Sequence, residues 1–132
     1  MKAKILVLNG PNLNMLGMRE PSIYGDKSLH EIGEDCVAAG KALGLTVDFR
    51  QTNHEGVLVD LIQSARTAAD ALIINPAAYS FTSIAMFDAM KIFEGPSYEV
   101  HISNIHARDE LHRHSKLSAA VKGVIAGLGP YG

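Results

Sequence analysis

The chain contains a single cysteine, Cys36, and no tryptophan. One thiol cannot form an intrachain disulfide, which fits a reducing cytoplasm. Lack of tryptophan removes a common, though not obligatory, stacking partner for flavin. The formal net charge is only −2, so electrostatics give no reason to expect nucleic acid or an anionic membrane as partner. No apolar run reaches the length of a membrane span, and the opening run is too short, and lacks a cleavage site, for a signal peptide. G-x-G-x-x-G and the P-loop pattern are missing, which argues against a dinucleotide or P-loop nucleotide. Without G-x-S-x-G there is no support for a hydrolase serine. Repeats, low-complexity tracts and linkers are also missing, so 1–132 reads as one domain.

What is present is organised around the stretch from Ile5 to Gly17, continued to Tyr24 and Gly25. Ile5-Leu6-Val7-Leu8 is apolar without alternation, as expected of a strand buried on both faces of a parallel sheet. It ends abruptly in Asn9-Gly10-Pro11-Asn12. Glycine and proline cannot continue a ladder, and the asparagines offer amides where the sheet opens. The carboxyl end of a central strand is where ligands bind in open α/β sheets. Arg19 and Tyr24 follow on a short loop, and a cation near a phenol favours the phenolate.

Ser28-Leu29-His30-Glu31 has the form of a capping box. Leu29, Ile32, Cys36, Ala39 and Leu43 then recur at helical spacing, with Gly44 as the glycine that ends the helix. On that stripe Cys36 reads as a small core residue and not a nucleophile. Leu45 to Gln51 reads as a strand. Asn53 is placed to cap a helix whose apolar face is Val57, Leu58, Leu61, Ile62 and Ala65. Ala71 to Asn75, followed by Pro76, repeats the opening, and the two similar strand ends suggest two walls of one crevice. Ser80, Thr82 and Ser83 are candidate caps for a helix packing Ile84, Phe87 and Met90 inward, with Ala85 and Ile92 as further candidates. Ser97 to Ile102 and Val121 to Gly127 make the fourth and fifth strands. Strands alternating with such helices predict a doubly wound, flavodoxin-like five-stranded parallel sheet of the α/β class. Such a sheet normally covers its last strand with another helix. None is legible after Gly127, so either a neighbouring subunit seals that face or a C-terminal segment is absent from the sequence.

Glu99, His101 and Ser103 are two apart on the fourth strand and share a face. A carboxylate beside an imidazole fixes its tautomer and suits it to proton transfer near neutral pH. The bland alternative is a strand-end histidine merely satisfied by glutamate. Histidines at 101, 106, 112 and 114 invite a metal reading. However, no H-E-x-x-H occurs, and His112 and His114 would diverge on a helix.

These blocks resemble the type II dehydroquinase (3-dehydroquinate dehydratase) family along nearly the whole chain. They are N-G-P-N-L-N-x-L-G-x-R-E-P-x-x-Y-G, N-P-A-A-Y, E-V-H-I-S-N-x-H-x-R, R-H-S and G-V-I-x-G-L-G. The resemblance implies a lyase that removes water from 3-dehydroquinate, without metal or organic cofactor, in dodecamers built from trimers. It implies Tyr24 as the base, Arg19 holding it ionised, Asn12 positioning a water for the enolate, and His101 as the acid oriented by Glu99. Ile102 and Ser103 would grip the substrate carboxylate and Asn75 a ring hydroxyl. Arg108 would be an ion-pair partner behind the site, and Asp88 would reach into a neighbour's site.

Two positions depart from that pattern. The family has histidine where this chain has Phe81, and arginine where it has His112. Both bond ring hydroxyls of the substrate there, and phenylalanine cannot. A one-residue offset on a helix turns Arg113 about 100° away from substituting for the arginine. The departures raise the alternative of a dehydroquinase-like paralogue with weakened turnover, or one suited to a less hydroxylated cyclic hydroxy-ketone acid. The alternative for Phe81 is that it only packs inside the trimer and never meets ligand. A non-catalytic ligand-binding module is the alternative from another class, although drift has little reason to spare Tyr24, Arg19, Asn12, Glu99 and His101 together.

Overall fold

The structure, a computed structural model, describes residues 2–18 and 20–132. Five strands, β1 (Lys4–Asn9), β2 (Thr46–Gln51), β3 (Ala71–Asn75), β4 (Ser97–His101) and β5 (Gly123–Ala126), form one parallel sheet in the order β2-β1-β3-β4-β5. The expected doubly wound α/β architecture is therefore present. The order reverses at β1, and β1 and β3 lie side by side with Asn9 opposite Asn75. Gly10 continues the match, its N–H donating to the Asn75 carbonyl at 2.8 Å.

Alternate residues of these strands serve opposite faces. Leu6, Leu8, Leu72 and Ile74 point to the face covered by α3 (Glu55–Ala68) and α4 (Ile84–Ile92), where Leu58, Ile62, Ala65, Met86, Met90 and Leu117 complete a buried core. Ile5, Val7, Ile73 and Val100 point to the other face, where α2 (Leu29–Ala42) packs beside an open apolar groove that also reaches Tyr131. Among the described residues no helix is long and apolar enough to cross a membrane.

The capping box of α2 is formed, with Ser28 Oγ accepting from Glu31 N–H and Glu31 accepting from Ser28 N–H. Gly44, at φ +75°, follows the helix as expected. The packing face of α2 differs from the sequence reading. Gly33 and Gly40 are its buried residues, because a Cβ at either would run into Phe49 or Val47 of β2. The stripe with Ile32, Cys36 and Leu43 faces the groove, and Leu43 is exposed. Cys36 is half-buried there, and burial pushes its thiol pKa up, away from the reactive thiolate.

Other local expectations are corrected as well. Asn53 does not cap α3, since His54 holds that position without a side-chain bond. Asn53 Oδ1 instead accepts from Asn12 N–H at 3.0 Å and Gln51 Nε2 at 3.1 Å, joining the loops after β1 and β2. Val57 is exposed while Leu58 and Ile62 are fully buried. Of the three candidate caps only Ser83 caps α4, accepting from Met86 N–H at 3.0 Å. Ile84, Ala85 and Ile92 face solvent, and Met86 fills the inward position. The last strand is shorter than its apolar run.

Candidate active site

The carboxyl ends of β1, β3 and β4 meet at a cleft open to solvent, the place where ligands bind in open α/β sheets. Among its lining residues are Asn12, Tyr24, Asn75, Phe81, His101 and His112, together with Ile102, Ser103 and Arg108. The fold brings these nine residues together from up to 100 positions apart, and Arg108, expected behind the site, is one of those that line it.

The walls are held by backbone geometry. Asn12 adopts φ +68°, a left-handed conformation that asparagine tolerates, and Ala77 adopts φ +53°, which alanine rarely does. Asn75 Oδ1 accepts from Ala77 N–H at 3.1 Å, turning the chain sharply after Pro76. Tyr79 Oη donates to the Asn53 carbonyl at 2.8 Å, tying the β3 wall to the loop after β2.

Tyr24 ends the short helix α1 (Pro21–Tyr24) and is 9% exposed. It packs with Leu13, Leu16 and Ile102. The Arg108 guanidinium lies over its ring, 5.4 Å from the centroid. This places a positive charge against the phenol from the far side of the chain. Arg19, the cation expected to play that part, lies outside the described residues.

His101 is 4% exposed and Glu99 0%. His101 lines the cleft and its Nε2 is hydrogen-bonded to Glu99 Oε2, so Nδ1 is the ring nitrogen not engaged by the glutamate. Ser115 Oγ donates to Glu99 Oε2 and Ser118 Oγ to Oε1, each at 2.6 Å. Burial pushes the Glu99 carboxyl pKa up. Donation from His101, Ser115 and Ser118 outweighs it and holds the carboxyl below its ordinary value, so the group is an anion at neutral pH.

Phe81 stacks on His101 and meets His112 edge-on, with ring centroids 6.1 Å and 5.6 Å apart. His112 sits on a 3-10 turn, Glu110–His112, and not on an α-helix. Its Nδ1 is 2.8 Å from Asp109 Oδ1, and that bond holds the Asp109 carboxyl below its usual pKa. Arg113 pairs with Glu110 and does not line the cleft. Asp88 is exposed on α4 and stands apart from the cleft of its own chain. Among the described residues no three His, Cys, Asp or Glu side chains are grouped to hold a metal ion.

Sequence reasoning missed the two serines on Glu99 and the position of Arg108 over Tyr24. No spacing rule links positions 99, 115 and 118, because these contacts exist only in the folded chain.

Residues 3–132 match the family model described as Dehydroquinase class II. The chain is 59% identical over 128 residues to 3-dehydroquinate dehydratase 1 of Agrobacterium fabrum, covering 97% of this chain and 88% of that protein. The fold is similar to the crystal structure of type II dehydroquinase from Propionibacterium acnes, with a TM-score of 0.95 and 47% identity over 98% of this chain and 90% of that one. It is also similar to type II dehydroquinase from Butyrivibrio crossotus, with a TM-score of 0.96 and 39% identity over the same shares.

Proposed function

The chain belongs to the class II dehydroquinase family, and on that premise we propose that it dehydrates 3-dehydroquinate to 3-dehydroshikimate without a cofactor. The supporting observation is that Tyr24 and His101, a phenol and a glutamate-backed imidazole, line one cleft at the carboxyl ends of the strands.

In this reading Tyr24, as its anion, removes the proton from the carbon beside the ketone. Arg108, over the ring, and Arg19 supply the positive charge that accompanies that anion. The electrons pass to the ketone oxygen as an enolate, stabilised by a water that Asn12 orients. The enolate collapses, the hydroxyl leaves, and His101 gives it a proton so that water departs. Ile102 and Ser103 hold the substrate carboxylate and Asn75 a ring hydroxyl. Assembly as a dodecamer of trimers in the cytoplasm belongs to the same reading. It gives the exposed Asp88 a role in a neighbouring subunit's cleft.

A second reading rests on Phe81 and His112. Their edge contact makes one wall of the cleft aromatic, so the preferred substrate is a cyclic hydroxy-ketone acid with fewer hydroxyls, and 3-dehydroquinate turns over weakly. Steady-state assay of 3-dehydroquinate, following enone absorbance, separates the two. Efficient turnover supports the first reading and removes the second. A folded protein that produces no enone defeats the first.

A further inference from the structure

We infer that Ser115 and Ser118 are positioning residues for proton transfer, because their hydroxyls fix the shared Glu99–His101 proton on His101 Nε2. The inference rests on the proposed role of His101 as acid.

Glu99 has no exposed surface, and a carboxylate in such a place must find its donors within the protein. It finds three. Oε2 takes His101 Nε2 and Ser115 Oγ, and Oε1 takes Ser118 Oγ. An ionised carboxylate only accepts, so both hydroxyls donate to it. The serines are carried 16 and 19 residues beyond Glu99 on a firmly seated segment. Lys116 N–H donates to the Ser80 carbonyl at 2.7 Å, and Leu117, between the serines, is fully buried in the core.

The proton in the buried pair has two possible homes. On His101 Nε2 it leaves a carboxylate, and on Glu99 it leaves a neutral carboxyl with Nε2 as acceptor. Hydrogen bonds to the charged form of an acid favour that form. The two serine donors therefore favour the first arrangement, against the burial that favours the second. The difference matters at Nδ1, the nitrogen not engaged by the glutamate. With Glu99 ionised, a proton on Nδ1 belongs to an imidazolium, a competent acid. With Glu99 protonated, the Nδ1 proton belongs to a neutral imidazole, which gives it up far less readily. Among the described residues the other groups on the cleft that carry or can carry charge are Tyr24, Arg108 and His112. The described donors to the Glu99 carboxylate are His101 and the two serines, so the serines are the control on that pair.

The test is nitrogen-15 NMR of histidine-labelled protein, with kcat and KM measured alongside. In the unaltered chain Nε2 of His101 is expected to carry a proton. In the double variant Ser115→Ala/Ser118→Ala a population with Nε2 unprotonated should appear. There kcat should fall about tenfold or more, as losing charge-assisted hydrogen bonds does, and KM should stay within about twofold. Ser115→Thr, which keeps the hydroxyl, should keep the original tautomer. If the double variant does not fold, Ser118→Ala alone is read by the same signals. Nε2 protonated as before, with kcat unchanged, overturns the inference and leaves the serines a packing role. The NMR signal needs no substrate, so an unaltered chain that fails to turn over 3-dehydroquinate defeats the activity and not the serine assignment.

Discussion

Phe81 lies almost parallel to the His101 imidazole, with the planes 29° apart. An apolar ring thus stacks beside the proposed acid, at the position where the family resemblance implies a hydrogen-bonding side chain. Phe81→His together with His112→Arg is expected to raise kcat/KM for 3-dehydroquinate, by about tenfold for each substrate hydrogen bond regained. Unchanged efficiency would show that Phe81 and His112 already serve this substrate.

Tyr24→Phe keeps the ring and removes the group proposed as base. Turnover should drop by about 10²- to 10⁴-fold, the usual weight of a positioned acid–base group. Binding of a carboxylate ring analogue, measured by calorimetry, should remain nearly unchanged. Retained turnover removes the phenolate from the mechanism.

Glu99 has its pKa depressed in the folded chain by His101, Ser115 and Ser118, against the upward push of burial. A depressed carboxyl contributes stability that is fully present above its unfolded value, about 4.3. That contribution is lost as pH falls through the lower folded value. Melting temperature followed by calorimetry should therefore fall more steeply below about pH 4.3 in the unaltered chain than in Glu99→Gln. Parallel curves would mean that Glu99 is not the carboxylate responsible.

A Cβ built on Gly10 would stand 2.5 Å from the Pro76 carbonyl oxygen. Gly10→Ala should force the ends of β1 and β3 apart and cost about 1–3 kcal/mol, as overpacking does. Thermal denaturation would register the loss. Because those two ends are walls of the cleft, KM should rise as well, and an unaltered melting temperature would show that the junction yields freely.

Much of this could be read from residue order because the signals were local. The runs Ile5–Leu8 and Ala71–Ile74 are continuous and apolar because both faces of a central parallel strand are covered. Ser28 and Glu31 sit at the fixed spacing a helix start requires. The alternation that aligns Glu99 with His101 is a property of any strand. Failures came where tertiary contact decided the outcome. Gly33 and Gly40 are buried because α2 approaches β2 too closely for side chains, which no hydrophobic period reveals. Asn53 had the chemistry of a helix cap but was claimed by Asn12 and Gln51 from two other segments. His112 was expected on a helix, yet Asp109 captures the Leu111 and His112 backbone in a tight turn.

The cleft's walls come from β1, β3 and β4, whose parallel pairings each span at least one helical crossover. Each pairing must close a long loop before it gains anything, and sheets of this kind assemble late. During refolding from denaturant, helical signal from segments such as α2 and α3 should recover early. Turnover has to wait until the fourth strand is seated beside the third, so it will be among the last properties to return.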